Sequence, residues 1–406
     1  MNIPWKKILA GFILLLVVIS LSYLLYLFFF KSEITETPAT YIPSETILEP
    51  GQLPQVITRP SDQGLVDTES QFEGLTPSKI ASGGLTEVTR DTFSQAKGAK
   101  ASSDGLVYYD QASGKFLKRL SNGQIVEYSD KVFYQVENVT WDKAGTKAIL
   151  EYPDGANILY NFQDKRQITL PKEMKEFSFS ATGNELAAEI IGTTKESNWL
   201  VTANANGANI EFIEQIGDRE NDVQVAFSPN NQVIATFRDS YDADRQEIVF
   251  IGQNQENFRS FVPEGRGFEG QWTPSGEEML YSVYSSATSF KPQLWIVEAQ
   301  GNNIGLNNKN LQLNTWSHKC TVNSLGTSAY CAVPRDLPTG SGWYPELAAN
   351  VPDDFYLINL ETDTFSLLAV PDSETGFQAQ NVMLSPDETT LYFTNSDNNV
   401  YSLDLP

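Results

Sequence analysis

One short pattern recurs along most of the chain: a large apolar residue, a small polar residue, a variable residue or proline, and then a tight polar turn. The clear copies begin at Trp141, Phe179, Phe227, Trp272, Val322 and Leu384, and a degenerate copy begins at Ala101. The copies lie about 40 to 60 residues apart, and runs rich in β-branched and aromatic residues follow each turn. Such runs, bounded by Gly, Pro, Asn and Asp, are typical of β-strands. A β-rich repeat of this length predicts the blades of a propeller.

The order of runs within a unit predicts an all-β fold of seven blades, each with four antiparallel strands. Six or eight blades are the alternatives, because the first copy of the repeat is degenerate. The last unit, residues 382–406, has room for only three strands, whereas residues 85–90 form a short β-like run before the first unit. We therefore expect residues 85–90 to supply the missing strand and close the ring, which would remove two exposed sheet edges.

These repeats resemble the WD-like propeller repeats of the TolB type, whose usual signature is aromatic-Ser-Pro-Asp-Gly. The nearest matches are Phe227-Ser228-Pro229 and Leu384-Ser385-Pro386-Asp387, and the loosest is Val322-Asn323-Ser324. The resemblance covers residues 85–406 and implies a β-propeller. Because propellers serve many functions, the function has to be argued from individual residues.

The N-terminal residues predict a membrane anchor. Residues 8–30 carry no charge and are long enough to cross a bilayer core of about 30 Å. Lys6 and Lys7 precede them, so the positive-inside tendency places residues 1–7 in the cytoplasm and the rest of the chain outside. The apolar run ends in aromatic residues without a small-x-small cleavage site, which favours an uncleaved signal anchor over a cleaved signal peptide. We expect a single-pass protein of the cell membrane.

Composition and charge describe the part outside the membrane. Residues 31–83 are rich in Pro, Ser, Thr, Glu and Gln and predict an extended stalk that leads to the propeller at residues 84–406. All 51 acidic residues follow Phe30, and the net charge of the chain is −23. Nucleic acids and anionic lipid surfaces would be repelled, so we expect no nucleic-acid partner. The charge serves solubility or, alternatively, attracts a cationic partner.

The two cysteines flank one of the repeated turns. The midpoint between Cys320 and Cys331 falls between Leu325 and Gly326, at the turn centre. Directly opposed residues of a hairpin have Cα atoms about 4.5 to 5.5 Å apart, within reach of a disulfide. We expect a disulfide formed in an oxidising exterior; the alternative is two buried free thiols. Zinc is disfavoured because His318 is the only histidine.

Long loops predict where binding occurs. In a four-stranded blade, the loops between second and third strands share one face with the blade-to-blade connections. These loops are long at residues 192–198, 238–246, 285–292 and 333–354. Loops on a rigid scaffold usually carry recognition. The longest contains Arg335, Asp336, Trp343 and Tyr344, and we predict that these residues bind a protein or an envelope polymer. Alternatively, this loop packs over its own blade as a small satellite core.

Catalytic chemistry has little support. With one histidine and no G-x-S-x-G motif, a Ser-His-Asp triad is not indicated. The acidic clusters at residues 218–222 and 239–244 lack EF-hand spacing, so we expect neither a metal nor a cofactor. The leading hypothesis is a membrane-anchored, extracytoplasmic binding module. The alternatives are a metal-dependent hydrolase, which would need three or more Asp, Glu or Asn side chains at one mouth of the channel, and a structural envelope component.

Overall fold

A computed structural model describes Leu21 and residues 76–406 of the chain. Residues 76–406 form seven β-sheets, one after another along the chain, and together these are the blades of a β-propeller. The predicted all-β fold and the predicted blade number are confirmed. The predicted cytoplasmic residues 1–7, the anchor at residues 8–30 and most of the stalk at residues 31–83 lie outside the described residues. In the described part, no helix is long and apolar enough to cross a membrane.

Two short strands come first, and the blades follow in chain order. The first strands are β1 (Gly84–Thr86) and β2 (Thr89–Arg90). Blade one contains β3 (Ala96–Ser102), β4 (Gly105–Asp110), β5 (Lys115–Leu120) and β6 (Ile125–Val132). Blade two contains β7 (Asn138–Trp141), β8 (Lys147–Glu151), β9 (Asn157–Asn161) and β10 (Arg166–Leu170). Blade three contains β11 (Met174–Phe179), β12 (Glu185–Ile190), β13 (Trp199–Asn204) and β14 (Glu211–Gln215).

The remaining blades are built in the same way. Blade four contains β15 (Val223–Val225), β16 (Val233–Ser240) and β17 (Gln246–Gly252). Blade five contains β18 (Arg266–Trp272), β19 (Glu278–Tyr284), β20 (Gln293–Glu298) and β21 (Lys309–Asn310). Blade six contains β22 (Cys320–Val322), β23 (Ser328–Pro334), β24 (Asp353–Asn359) and β25 (Thr364–Pro371), and blade seven contains β26 (Ala379–Leu384), β27 (Thr390–Asn395) and β28 (Val400–Asp404). Short 3-10 helices lie at Lys195–Ser197, Glu220–Asp222, Ser286–Thr288, Gly301–Asn303, Ser317–Lys319 and Pro345–Ala348.

The short strands β1 and β2 close the ring of blades. Strand β2 pairs antiparallel with β28, with Thr89 opposite Ser402, and so supplies the fourth strand of blade seven. This part of the expected closure by residues 85–90 is confirmed. Strand β1 differs from that expectation, because it pairs in parallel with β25 and adds a fifth strand to blade six. One segment therefore covers the outer edges of two neighbouring blades.

Blade four departs from the four-stranded pattern. After β17, two isolated bridges take the place of a fourth strand, Ile251 with Asn257 and Ile248 with Phe261. The Phe261 ring is buried and packs against Phe268 of blade five, with ring centroids 6.0 Å apart. Two backbone hydrogen bonds between Ile248 and Phe261, together with burial of the Phe261 ring, therefore cover part of an edge that a strand covers in the other blades.

The core lies between the blades. Seven buried apolar clusters fill the junctions between neighbouring sheets. At the closing junction, Leu106 and Tyr108 of blade one pack with Tyr392 and Val400 of blade seven. Strand β4 is buried along its whole length between the neighbouring blades, which explains the run of large side chains from Leu106 to Tyr109.

The predicted disulfide is present in blade six. Cys320 and Cys331 are directly opposed in the β22–β23 pair, and their Cα atoms lie 4.1 Å apart. Both residues are buried in the cluster between blades five and six. The register predicted from the repeated turn is therefore correct.

Candidate functional site

The two faces of the propeller carry different connections. The short turns between first and second strands lie on one face, which we call the short-turn face. The loops between second and third strands lie on the other, which we call the long-loop face. In four blades these loops comprise residues 191–198, 241–245, 285–292 and 335–352. Residues 191–198, 285–292 and 335–352 are longer than short-turn connections such as residues 273–277 and 323–327, as predicted. The long loop predicted at residues 238–246 is wrong, because β16 continues to Ser240 and leaves only residues 241–245 before β17.

The longest loop, residues 335–352, reaches across to blade five. The Gly340 amide donates to the Ser289 carbonyl at 3.0 Å, and the Gly342 amide donates to the Phe290 carbonyl at 2.7 Å. A Cβ atom at Gly342 would lie 2.6 Å from the Tyr284 Cβ, so only glycine allows this close approach. The loop is thus fixed to the neighbouring blade through backbone contacts.

Four aromatic side chains meet where the two loops join. Trp343 and Tyr344 come from the longest loop, Tyr284 ends β19, and Phe290 belongs to residues 285–292; we call these four residues the aromatic platform. The Trp343 ring centroid lies 6.3 Å from Tyr284, 5.8 Å from Phe290 and 6.0 Å from Tyr344. Trp343 and Tyr344 nevertheless remain 55% and 59% exposed. Exposed aromatic groups held together in this way are typical of binding surfaces.

The backbone under the platform is strained. Ser289 and Phe290 both adopt left-handed conformations with φ of 53°. A bulky residue rarely does so, and each such residue costs about 1–3 kcal/mol. The conformation is maintained by the Phe290 amide, which donates to the Ser285 carbonyl at 2.8 Å, and by the bond from Gly342. Strain of this kind concentrates at functional sites.

A polar depression adjoins the platform between blades four and five. It has a volume of about 590 Å³, and we call it the acidic groove. Its polar lining consists of Asp242, Asp244, Arg245, Glu264, Ser285, Ser286, Thr288, Gln293 and Trp295. Arg245 pairs with Asp242 at 2.8 Å, so the other two carboxylates leave the lining with an excess of negative charge. The platform and the groove share the loop of residues 285–292.

The structure separates the predicted binding residues. Trp343 and Tyr344 lie together in the platform, whereas Arg335 lies at the start of the loop. The Arg335 Nε donates to an Asp354 carboxylate oxygen at 3.0 Å, which joins the two ends of the loop. Asp336 is exposed beside it. The roles of all four residues in binding remain predictions.

The platform also contains two residues that the sequence analysis did not select. Tyr284 immediately precedes the long loop of residues 285–292 and Phe290 lies within it, and this position is the only signal that the sequence offers. Their contact with Trp343 joins residues more than 50 positions apart in the chain. No local pattern indicates such a contact.

A second group of polar residues lies between blades three and four on the long-loop side. Glu189 is buried, and one of its carboxylate oxygens has no hydrogen-bond partner among the described residues. Burial, followed by the charges of Glu176 and Glu220, raises the pKa of Glu189 to about 8. Within residues 76–406, however, no three His, Cys, Asp or Glu residues are placed to hold a metal ion.

Comparisons with known proteins show the fold. The sequence matches no protein-family model and no curated protein. Among solved structures, an oligogalacturonate lyase in complex with manganese is 13% identical, with 82% of this chain and 96% of that chain covered and a TM-score of 0.53. Oligogalacturonate lyase from Vibrio parahaemolyticus is 12% identical, with coverage of 79% and 93% and a TM-score of 0.50. The Cps50 (Swd1) β-propeller domain of Myceliophteria thermophila is 9% identical, with coverage of 79% and 100% and a TM-score of 0.51.

These similarities establish a shared architecture and nothing about activity. Identities of 13% or less leave almost every side chain free to differ. The same fold occurs in a lyase and in a propeller domain of a different kind, as expected of a scaffold that hosts many functions.

Proposed function

We propose that this protein is a membrane-anchored, extracytoplasmic propeller of the TolB type that binds a protein or an envelope polymer through its long-loop face. The aromatic platform is the observation that carries the proposal. Trp and Tyr supply much of the binding energy in protein interfaces, because their rings bury a large area and have few rotatable bonds. Here the rings are already held by the Gly342 contact, so little ordering entropy remains to be lost on binding.

The buried disulfide supports the proposed location. Cys320 and Cys331 are bonded to each other, and such bonds persist in oxidising compartments. An anchor at residues 8–30 with residues 1–7 in the cytoplasm would place the propeller in such a compartment. The acidic composition agrees with an exposed, soluble domain on a stalk.

The repeated turn supports assignment to the TolB type. In the copy nearest to the signature, the Ser385 hydroxyl donates to the Asp387 carboxylate at 2.6 Å and accepts the Thr390 amide at 2.9 Å. The signature residues therefore act together to close the turn between the first two strands of a blade.

Photo-crosslinking in intact cells tests the binding face. A photoreactive amino acid replaces Leu347, a half-exposed residue on the platform loop, or Leu325, an 80% exposed residue on the short-turn face. We expect adducts to protein or envelope polymer from position 347 and few from position 325. Adding Trp343→Ala should reduce the adducts by more than tenfold, because a true aromatic anchor contributes at least about 2 kcal/mol, roughly thirtyfold in affinity.

A matched variant separates binding from folding. Phe212 lies on β14, the outer strand of blade three, and is 55% exposed, like Trp343. Its ring packs edge-on against Trp199. Phe212→Ala should leave the adducts unchanged, and both alanine variants should unfold at nearly the same temperature. If Trp343→Ala lowers the unfolding temperature but leaves the adducts intact, the platform is a packing feature and the proposal fails.

A further inference from the structure

We propose that the aromatic platform and the acidic groove form one continuous binding surface for a polysaccharide that is neutral or carries amino groups. This inference rests on the proposed function and specifies the ligand chemistry of the same face.

The platform suits a sugar ring. Trp343 and Tyr344 have ring planes within 9° of each other, and both residues are more than half exposed. The carbon-bound hydrogens on one face of a sugar ring carry partial positive charge, and they are attracted to the negative face of an aromatic ring.

The groove supplies the polar contacts that such a ligand needs. Sugar hydroxyls both donate and accept hydrogen bonds, so a matching site must contain both kinds of group. Carboxylates such as Asp244 accept, Arg245 donates, and the hydroxyl of Ser285 can do both. The volume of about 590 Å³ lies within the range of small-molecule sites, about 300 to 1,000 Å³.

The charge of the groove selects among sugars. Asp242, Asp244 and Glu264 line it, together with Arg245; the Arg266 guanidinium reaches the rim, where it donates to the Ala243 carbonyl at 3.1 Å. Three carboxylates against two guanidinium groups disfavour a polyanion, on a protein whose net charge is already −23. Neutral sugars and amino sugars encounter no such repulsion.

The shared loop makes the surface continuous. Ser285, Ser286 and Thr288 face the groove, whereas Phe290 enters the platform. The left-handed pair Ser289-Phe290 turns the chain from one to the other. A polymer that stacks a ring on the platform can therefore place the next units in the groove, which explains why the strained conformation is held in place.

Calorimetric titration of the full-length protein in detergent tests this assignment. The probes are hexamers of N-acetylglucosamine, which is neutral, glucosamine, which is cationic, and galacturonate, which is anionic. We expect the neutral or the cationic hexamer to bind at least about tenfold more tightly than the anionic one. Trp343→Ala should weaken that binding at least tenfold, and Trp343→Phe should restore most of it because a ring is kept.

Two further variants test the geometry and the charge. Gly342→Ala keeps every aromatic ring but pushes the loop away from Tyr284, and we expect it to weaken binding nearly as much as Trp343→Ala. Asp244→Asn should reduce any preference for the cationic over the neutral hexamer by about threefold, and less so at high salt.

The outcomes distinguish the two proposals. The polysaccharide assignment is overturned if neither the neutral nor the cationic hexamer binds, or if the anionic hexamer binds best. If crosslinks from position 347 still depend on Trp343 in that case, the proposed binding face stands. If platform-dependent crosslinks are absent as well, both proposals fail.

Discussion

The short-turn face and the long-loop face differ in how the polar groups of their connections are hydrogen-bonded. On the short-turn face, a side chain of the repeat itself closes the turn: the Ser228 hydroxyl accepts the Gln232 and Val233 amides at 3.0 and 2.9 Å. On the long-loop face, the left-handed pair Ser289-Phe290 lies beside exposed aromatic rings, and one carboxylate oxygen of buried Glu189 has no hydrogen-bond partner among the described residues. The repeated turns of the short-turn face therefore contribute to stability, whereas the candidate binding residues lie in loops that do not follow the repeat.

Contacts between neighbouring turns strengthen this contrast. The Ala181 amide donates to the Asn231 side-chain oxygen at 3.1 Å, and the Asn230 side-chain amide donates to the Gly276 carbonyl at 2.9 Å. The Ser324 amide donates to Glu388 at 3.0 Å in the same manner. Turns of successive blades are thus joined to one another, whereas at the platform only the loops of residues 285–292 and 335–352 meet.

The largest effect should come from the buried ion pair beneath the longest loop. The Lys319 ammonium donates to both carboxylate oxygens of Asp353 at 2.8 Å, and the Ala379 amide donates to the same carboxylate at 2.7 Å. Lys319→Met should lower the free energy of unfolding by about 3–5 kcal/mol, because it leaves a buried carboxylate unpaired. The control is Lys309→Met, which removes a half-exposed pair with Asp363 and should cost less than about 1 kcal/mol in urea unfolding. If the two variants lose the same free energy of unfolding, the buried pair of Lys319 and Asp353 contributes no more to stability than the half-exposed pair.

The disulfide should contribute the next largest effect. Replacing Cys320 and Cys331 together by alanine should lower the free energy of unfolding by about 2–3 kcal/mol, since the bond closes a loop with a sequence separation of 11. The native protein should lose a similar amount in reductant. The double variant should be insensitive to reductant; sensitivity would mean that the reductant acts elsewhere.

Glu189 should make stability depend on pH. Its folded pKa of about 8 lies above the ordinary value of 4.5, so the folded state holds a proton that the unfolded state has released between these values. The free energy of unfolding should therefore fall by about 2 kcal/mol between pH 6 and pH 8 on account of this group. Glu189→Gln should remove that part of the decline, as measured by urea unfolding across the pH range. If the free energy of unfolding falls equally with pH in the native protein and in Glu189→Gln, the raised pKa of Glu189 is contradicted.

The smallest effect should come from a single repeated turn. Ser228→Ala removes the acceptor for two backbone amides and should cost about 1 kcal/mol. Ser275→Ala removes an acceptor for one exposed amide, that of Glu277, and should cost less. If Ser228→Ala is neutral, the turn is closed by its backbone alone, and the contrast between the two faces is weaker than the hydrogen bonds suggest.

Local patterns were sufficient to predict the blades and the disulfide. An apolar anchor such as Trp141 and a left-handed turn residue such as Gly145, with φ of 70°, or Asn231, with φ of 58°, recur at the hairpins. The register that they predict places Cys320 opposite Cys331. The parallel pairing of β1 with β25 was not predictable, because three residues carry no signal for the direction of pairing. The missing fourth strand of blade four depends on Phe261, whose burial is a tertiary property.

The candidate site could be predicted only in part. Trp343 and Tyr344 were recognisable as aromatics in a long polar loop. The loop's attachment to blade five depends on backbone bonds from Gly340 and Gly342, which any sequence with glycines could form. The burial of Glu189 was also not foreseeable, because the sequence does not show whether a glutamate near the end of a strand such as β12 faces solvent or the neighbouring blade.

The closing segment has a mechanical consequence. The Ala81 amide donates to the Asp404 carbonyl, and the Gly83 amide donates to the Leu368 carbonyl, both at 2.8 Å. The chain that leads into the propeller is therefore fastened to two blades at once before it reaches blade one. A pulling force transmitted along this chain would load blades six and seven together, and blade six carries both the disulfide and the loop that bears Trp343. Tension on this segment would thus be shared between blade seven and the covalently reinforced blade six.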